Sequence, residues 1–224
     1  NRTFENIGLD IAKADEFVNQ RLDGLIVSLE NLMSLRTFGH FKPAEYLPAA
    51  REFLAAVGEA HSAFNSALIL QANGINARFV DLSGWKSMEN HDLDSAIVSA
   101  FEGMDFAHEM PIVTGYVKCD QGIMKTFDRG YSEITFSKLA VLTHAREGVI
   151  HKEFHLSTGD PKLIGEDKVE VIGNTNFDIA DQLSDMGMEA IHPKAAKQME
   201  GQNIPIRVKN AFDPEHPGTL ISRD

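Results

Sequence analysis

Leu68-Ile69-Leu70-Gln71-Ala72-Asn73-Gly74-Ile75-Asn76-Ala77-Arg78-Phe79-Val80 is the stretch whose reading decides the fold class. From about Pro48, Leu54, Val57, Phe64 and Leu68 recur on one face of a helical cylinder. Asn73-Gly74 supplies left-handed backbone to stop that helix, and 75–80 follows as a short strand. A helix handing over to a strand is an αβ step, and the rest of the chain repeats it. Upstream, Val18, Leu22, Leu25, Leu29 and Leu32 form one apolar stripe and predict a helix within the first forty residues. Downstream, Leu93, Ile97, Ala100 and Phe101 mark a helix, and the β-branched run 111–117 reads as a strand.

The second half alternates likewise. A loop at 127–131 leads into a helix over 132–145, then a buried strand at 148–150 and a turn at Asp160-Pro161. A helix over 176–187 precedes a shorter one with Pro193 in its first turn. Ile204, Ile206 and Val208 alternate with polar residues as a half-exposed strand, and 219–221 is the last strand. Strands separated by helices predict an α/β protein, a three-layer αβα sandwich around a mostly parallel sheet.

Composition narrows the function classes. The chain has 224 residues, with 21 Lys+Arg against 33 Asp+Glu, a formal net charge of −12. That balance, with no basic stripe, argues against nucleic acid or an anionic membrane as partner. No uninterrupted apolar run has the length of a spanning helix. The single cysteine, Cys119, excludes an internal disulfide and any multi-thiolate metal site, and fits a cytoplasmic protein. The Gly-x-Gly-x-x-Gly fingerprint, the P-loop and the Gly-x-Ser-x-Gly elbow are all absent.

Two segments carry chemistry. In His151-Lys152-Glu153-Phe154-His155 the preceding β-type run implies extended chain, so the two imidazoles stand about 13 Å apart, too far to chelate one ion. Polar residues at the carboxyl end of a strand remain, where open α/β sheets bind ligands. In Thr126-Phe127-Asp128-Arg129-Gly130-Tyr131-Ser132-Glu133, Gly130 allows a tight turn, Ser132 is placed to cap the next helix and Glu133 falls in its first turn. Such an end, with Arg129 beside it, suits an anion; an ordinary capped helix fits the same pattern. Periodicity alone puts Glu59 on a solvated helix face, makes His61 a core-edge histidine, and leaves Cys119 a structural thiol.

Five ordered blocks add a resemblance: 127–135 (FDRGYSEIT), 157–162 (STGDPK), 187–194 (GMEAIHPK), 204–210 (IPIRVKN) and 217–221 (PGTLI), with Gly58-Glu59-Ala60-His61-Ser62 upstream. In order and spacing the chain resembles the aspartokinases of the amino-acid kinase superfamily, most of all the variety associated with ectoine biosynthesis. The resemblance implies phosphorylation of the L-aspartate β-carboxylate by ATP, with Mg2+ carried by the nucleotide, in a cytoplasmic homodimer. It implies a substrate-binding lobe over 1–110 and a nucleotide-binding lobe over 111–224.

Carried over by position, Arg129 grips a substrate carboxylate, Ser132 and Glu133 fall where the family has Ser-Asp, and Glu59 matches the family's Gly-Glu. Glu133 is then the acceptor of the substrate amine. His151, Lys152, Ser157, Asp160, Lys162 and Glu189 fall on the nucleotide side. The family's Thr-Asp is here His151-Lys152, and its Gly-Ala-Lys is Gly187-Met188-Glu189. This suggests a charge exchange in which Lys152 supplies the cation that Glu189 does not. The family's Lys-x-Gly-Gly segment, with its catalytic lysine, and its ACT domains have no counterpart in these residues, so an N-terminally incomplete kinase domain is expected. Two alternatives stay open: a catalytically incomplete nucleotide- and amino-acid-binding module, and another amino-acid kinase.

Overall fold

The computed structural model describes residues 1–127, 130–159, 161–185 and 191–223. The chain divides into two compact units, Asn1–Tyr131 and Ser132–Asp224. The lobes expected over 1–110 and 111–224 are a division by ligand; the compact units part at 131/132.

In the first unit a short 3-10 helix, Arg2–Ile7, leads to α1 (Ile11–Leu35), whose N-terminus is capped by the Asp10 carboxylate accepting from Lys13 N–H at 3.1 Å. Then come α2 (Pro43–Ala72), β1 (Ala77–Val80), α3 (Leu93–Ala100), β2 (Met110–Val113) and α4 (Ile123–Phe127). β1 and β2 pair in parallel as a two-stranded sheet, as the intervening helix requires. The αβ step read at Asn73-Gly74 is present: Ile75 N–H bonds back to Leu70 O across Gly74, whose φ is 82°.

The buried faces differ from the leucine stripes. In α1 the buried residues are Ala14, Arg21 and Leu25, while Leu22 is 40% exposed. In α2 they are Ala50, Ala56, Val57, Ala60, Ala63, Asn65 and Ala67, and Leu54 lies on the surface. Small residues let the helix backbone approach its neighbours closely, and rings fill the space between. Phe17 stacks on Phe64 at 4.0 Å, and Phe79 from β1 meets both edge-on. Arg21 enters this core because a ring and two oxygens receive its guanidinium there. Its guanidinium lies 4.3 Å over the Phe17 ring, bonds Ser83 Oγ at 2.9 Å and pairs with Asp81. By length and mean hydropathy α2 would pass for a membrane span, although its apolar run is broken. Its packing against α1, β1 and β2 makes it the core helix of this unit.

The second unit holds most of α5 (Tyr131–Leu142), then β3 (Gly148–Lys152), α6 (Pro161–Ile164), a 3-10 turn at Glu166–Lys168, β4 (Asn174–Asn176), α7 (Phe177–Asp185), α8 (Pro193–Gly201), β5 (Ile206–Asn210) and β6 (Thr219–Ser222). Its sheet has the order β3-β5-β6-β4. β3–β5 and β4–β6 are parallel, while β5–β6 is antiparallel. The turn before β6 needs Gly218: φ is 74°, and a Cβ there would fall 2.3 Å from Val208 O. Ile206, Val208, Ile221, Ile134 and Met199 are almost fully buried and form the core. β3 was read as a buried strand, yet only Gly148 is fully covered and exposure then alternates, because β3 is an edge strand. Ser132 lies inside the first turn of α5 rather than ahead of it, so it does not stand at the cap position read from sequence.

Candidate functional site

In the first unit, α2 presents two carboxylates spaced two turns apart. Glu59 Oε2 accepts the Gly115 N–H at 3.2 Å. Burial, then the Glu59 charge and a hydrogen bond to it, hold the Tyr131 phenol above its usual range. Periodicity put Glu59 in solvent. The structure instead places it half-buried against the segment that follows β2.

Glu52 caps a helix from outside it. Its Oε1 accepts Met124 N–H at 2.9 Å and Lys125 N–H at 3.1 Å, satisfying donors at the start of the five-residue α4. Burial and Glu52 together push the Tyr116 phenol well up, and burial raises the Cys119 thiol. These groups line a cavity of about 440 Å³ with Ser83, Lys118 and Lys125. Its walls are set by the strand ends. Fully buried Thr114 accepts from Leu82 N–H and donates to Tyr116 O, tying the chain beyond β1 to that beyond β2.

In the second unit, Glu133 in the first turn of α5 joins three elements. Its Oε1 accepts from Lys152 Nζ at 2.8 Å, and its Oε2 from the His192 backbone N–H at 2.5 Å. Lys152 closes β3, and His192 caps α8, its Nδ1 accepting from Lys194 N–H. The ion pair is neither buried nor free: the side chains are 35% and 24% exposed for Lys152 and Glu133. The junction is therefore fixed by bonds on both carboxylate oxygens while its cation still reaches water.

Three other residues expected on the nucleotide side, His151, Ser157 and Lys162, lie among the described residues. His151 is exposed and faces Lys209 in the β3–β5 register. Ser157 is 4% exposed and donates to Gly159 O, so it shapes the loop from within. Lys162 pairs with Glu153, whose carboxyl it holds below the usual range, and lies 5.6 Å over the Phe154 ring. Beyond the strand His155 meets Asp213 and accepts from Asn210 N–H. Arg129, Asp160 and Glu189 lie outside the described residues. The charge exchange read between Lys152 and Glu189 therefore falls partly outside the described residues; the partner observed for Lys152 is Glu133. Among the described residues no group of three or more His, Cys, Asp or Glu side chains is arranged to hold a metal.

Sequence reasoning passed over Glu52, Tyr116, Tyr131 and His192. Glu52 and His192 act through backbone contacts 59 to 73 residues away in sequence, which no local pattern encodes. The ring pair Tyr116–Tyr131, at 6.1 Å, also joins residues too far apart in sequence for helix or strand periodicity to show.

Comparison with known proteins puts these residues in context. The chain matches the amino acid kinase family over residues 8–210. It is 53% identical over 215 residues to the aspartate kinase Ask_Ect of Stutzerimonas stutzeri (strain A1501), an alignment covering 96% of this chain and 45% of that protein. It is 29% identical to the aspartokinase of Schizosaccharomyces pombe, over 81% of this chain and 36% of that one. Among solved structures, E. coli aspartokinase III in complex with aspartate and ADP (R-state) superposes with a TM-score of 0.68. That match has 20% identity and covers 92% of this chain and 47% of the other, a likeness of fold. The chain spans less than half the length of each of these relatives.

Proposed function

The chain belongs to the amino acid kinase family, and from that premise we propose that it is the kinase portion of an aspartate kinase of the ectoine-associated type. In the proposed reaction an oxygen of the L-aspartate β-carboxylate attacks the γ-phosphorus of ATP. The new O–P bond forms as the bond to the β,γ-bridging oxygen breaks, giving aspartyl-4-phosphate and ADP. Such a transfer asks the protein for positioned cations and donors rather than covalent chemistry. The observation that carries this reading is the 53% identity to Ask_Ect, sustained over 96% of the chain. The geometry supports it, with a carboxylate–ammonium junction at the carboxyl end of β3, where sheets of this class take ligands.

On this reading Glu59, Arg129, Ser132 and Glu133 bind aspartate, Glu133 accepting from its ammonium. His151, Lys152, Ser157, Asp160, Lys162 and Glu189 form the nucleotide side. Lys152 and Lys162 would meet the phosphates, and Ser157 would shape the loop beside them. Mg2+ enters on the nucleotide, and the protein works in the cytoplasm as a homodimer. Calorimetric titration with MgADP and with L-aspartate tests the proposal. Binding of both, with UMP not bound, is the expected result. A chain that binds UMP in place of aspartate is a different kinase of the family, and one that binds none of the three overturns the reading.

A further inference from the structure

Glu133 and Lys152 do not saturate one another: a single hydrogen bond joins them. A carboxylate offers about four lone-pair positions and an ammonium three N–H donors. Glu133 uses one position on Lys152 and one on His192 N–H. Among the described residues Lys152 meets Glu133 and no other acceptor, so it keeps donors for something else. The pair is partly exposed, held in place from three elements, and sits where β3 ends. A pair serving only to hold the fold has no need of open positions on both sides.

We infer that this ion pair couples two ligands: an ammonium-bearing amino acid on the Glu133 side and a phosphate on the Lys152 side. The inference rests on the aspartate kinase reading for the identity of those ligands. In the free chain Glu133 neutralises much of the Lys152 charge. An ammonium arriving at Glu133 takes a share of that carboxylate and adds positive potential beside Lys152, which then meets phosphate less compensated. Conversely, a phosphate that draws Lys152 toward itself leaves Glu133 more negative for the ammonium. Linkage makes the two effects equal, so each ligand tightens the other by the same factor. The order of filling is then immaterial, and the doubly loaded state is favoured over either single one.

Among the described residues the neighbouring charged groups do not supply this link. His192 has its Nδ1 bonded to Lys194 N–H, Lys162 is paired with Glu153, and His151 faces solvent. The test is MgADP affinity by calorimetry, with and without saturating L-aspartate, in the wild-type chain, Lys152→Met and Lys152→Arg. Aspartate should tighten MgADP about tenfold in the wild type, within the usual span of coupling between sites. Lys152→Met should abolish that gain while still binding aspartate, and Lys152→Arg should restore it in part. Methionine matches the lysine stem in length, and a thermal melt of each variant reports folding separately. Tightening that persists in Lys152→Met overturns the coupling, as does aspartate leaving MgADP affinity unchanged or weakening it in the wild type. If the wild type binds neither ligand, the aspartate kinase reading falls as well, which separates the two failures.

Discussion

The two units each hold an ion pair between secondary-structure elements, and the pairs are opposites. In the first, Arg21 is 4% exposed, stacked on Phe17, bonded to Ser83 and paired with Asp81. In the second, Lys152 is 35% exposed, touches no ring and meets one carboxylate among the described residues. A buried cation stacked on a ring and bonded to two oxygens cannot be offered to a ligand without dismantling its surroundings. A half-exposed cation with open donors can. The contrast is one of burial and of donors left open, and it is drawn independently of any relative.

The largest effect should come from breaking the buried pair. Arg21→Met leaves Asp81 and Ser83 without their partner, and should cost about 3 kcal/mol or more in stability, roughly 6–12 °C in Tm. Differential scanning calorimetry reads this directly, and a loss under 1 °C would erase the distinction drawn here. Next, Glu59→Gln keeps an oxygen for Gly115 N–H but removes the charge proposed to face aspartate. It should weaken L-aspartate about tenfold, the scale of one charge-assisted hydrogen bond, and leave MgADP affinity unchanged. Equal weakening of both ligands would mean that this carboxylate shapes the fold and does not choose the amino acid.

Smaller still is the stability effect of Lys152→Met. A partly exposed pair of this kind contributes about 1 kcal/mol or less, so the melt should barely move, in contrast to Arg21→Met. The smallest effect is a pH slope confined to the first unit. Burial lowers the pKa of His61 from its ordinary 6.5. The unfolded chain then binds the proton more readily than the folded one. Its contribution is therefore complete above about pH 6.5 and is lost as pH falls through the lower, folded value. Melts of the wild type between pH 7 and 5 should show a decline that His61→Gln makes shallower. An unchanged slope would assign the decline to other groups.

Much of the fold was legible because it rests on local periodicity and stop signals. The αβ step at Asn73-Gly74, Pro193 at the start of α8 and the alternation through β5 each carry their own physical signature. What the sequence hid is instructive. Arg21 replaces a leucine on the buried face of α1 because Phe17, Ser83 and Asp81 satisfy it, and two of those lie 60 or more residues away. β4 reads Asn-Thr-Asn and has no apolar alternation, since it is an edge strand held by pairing with β6. α4 has only five residues and depends on Glu52 for its N-terminal donors, so no intrinsic periodicity announces it.

The candidate site was legible unevenly. Lys152 stood out because a lysine ends a strand where the resemblance leads one to expect a carboxylate. Its partner could not be read, because Glu133 is 19 residues away and reaches it only after α5 and β3 have packed. Glu59 was misjudged by periodicity for a similar reason: the Gly115 backbone that covers it is 56 residues distant. Helix faces are visible in a sequence; the loops that come to rest on them are not.

The most direct test of the contrast between the two ion pairs is the affinity of Lys152→Met for MgADP, measured by calorimetry beside the wild type in one buffer. The account expects the wild type to bind, and the variant to bind at least about tenfold more weakly, since a charge-assisted bond to phosphate is lost. Equal affinities would contradict it, and would return Lys152–Glu133 to the scaffold alongside Arg21–Asp81.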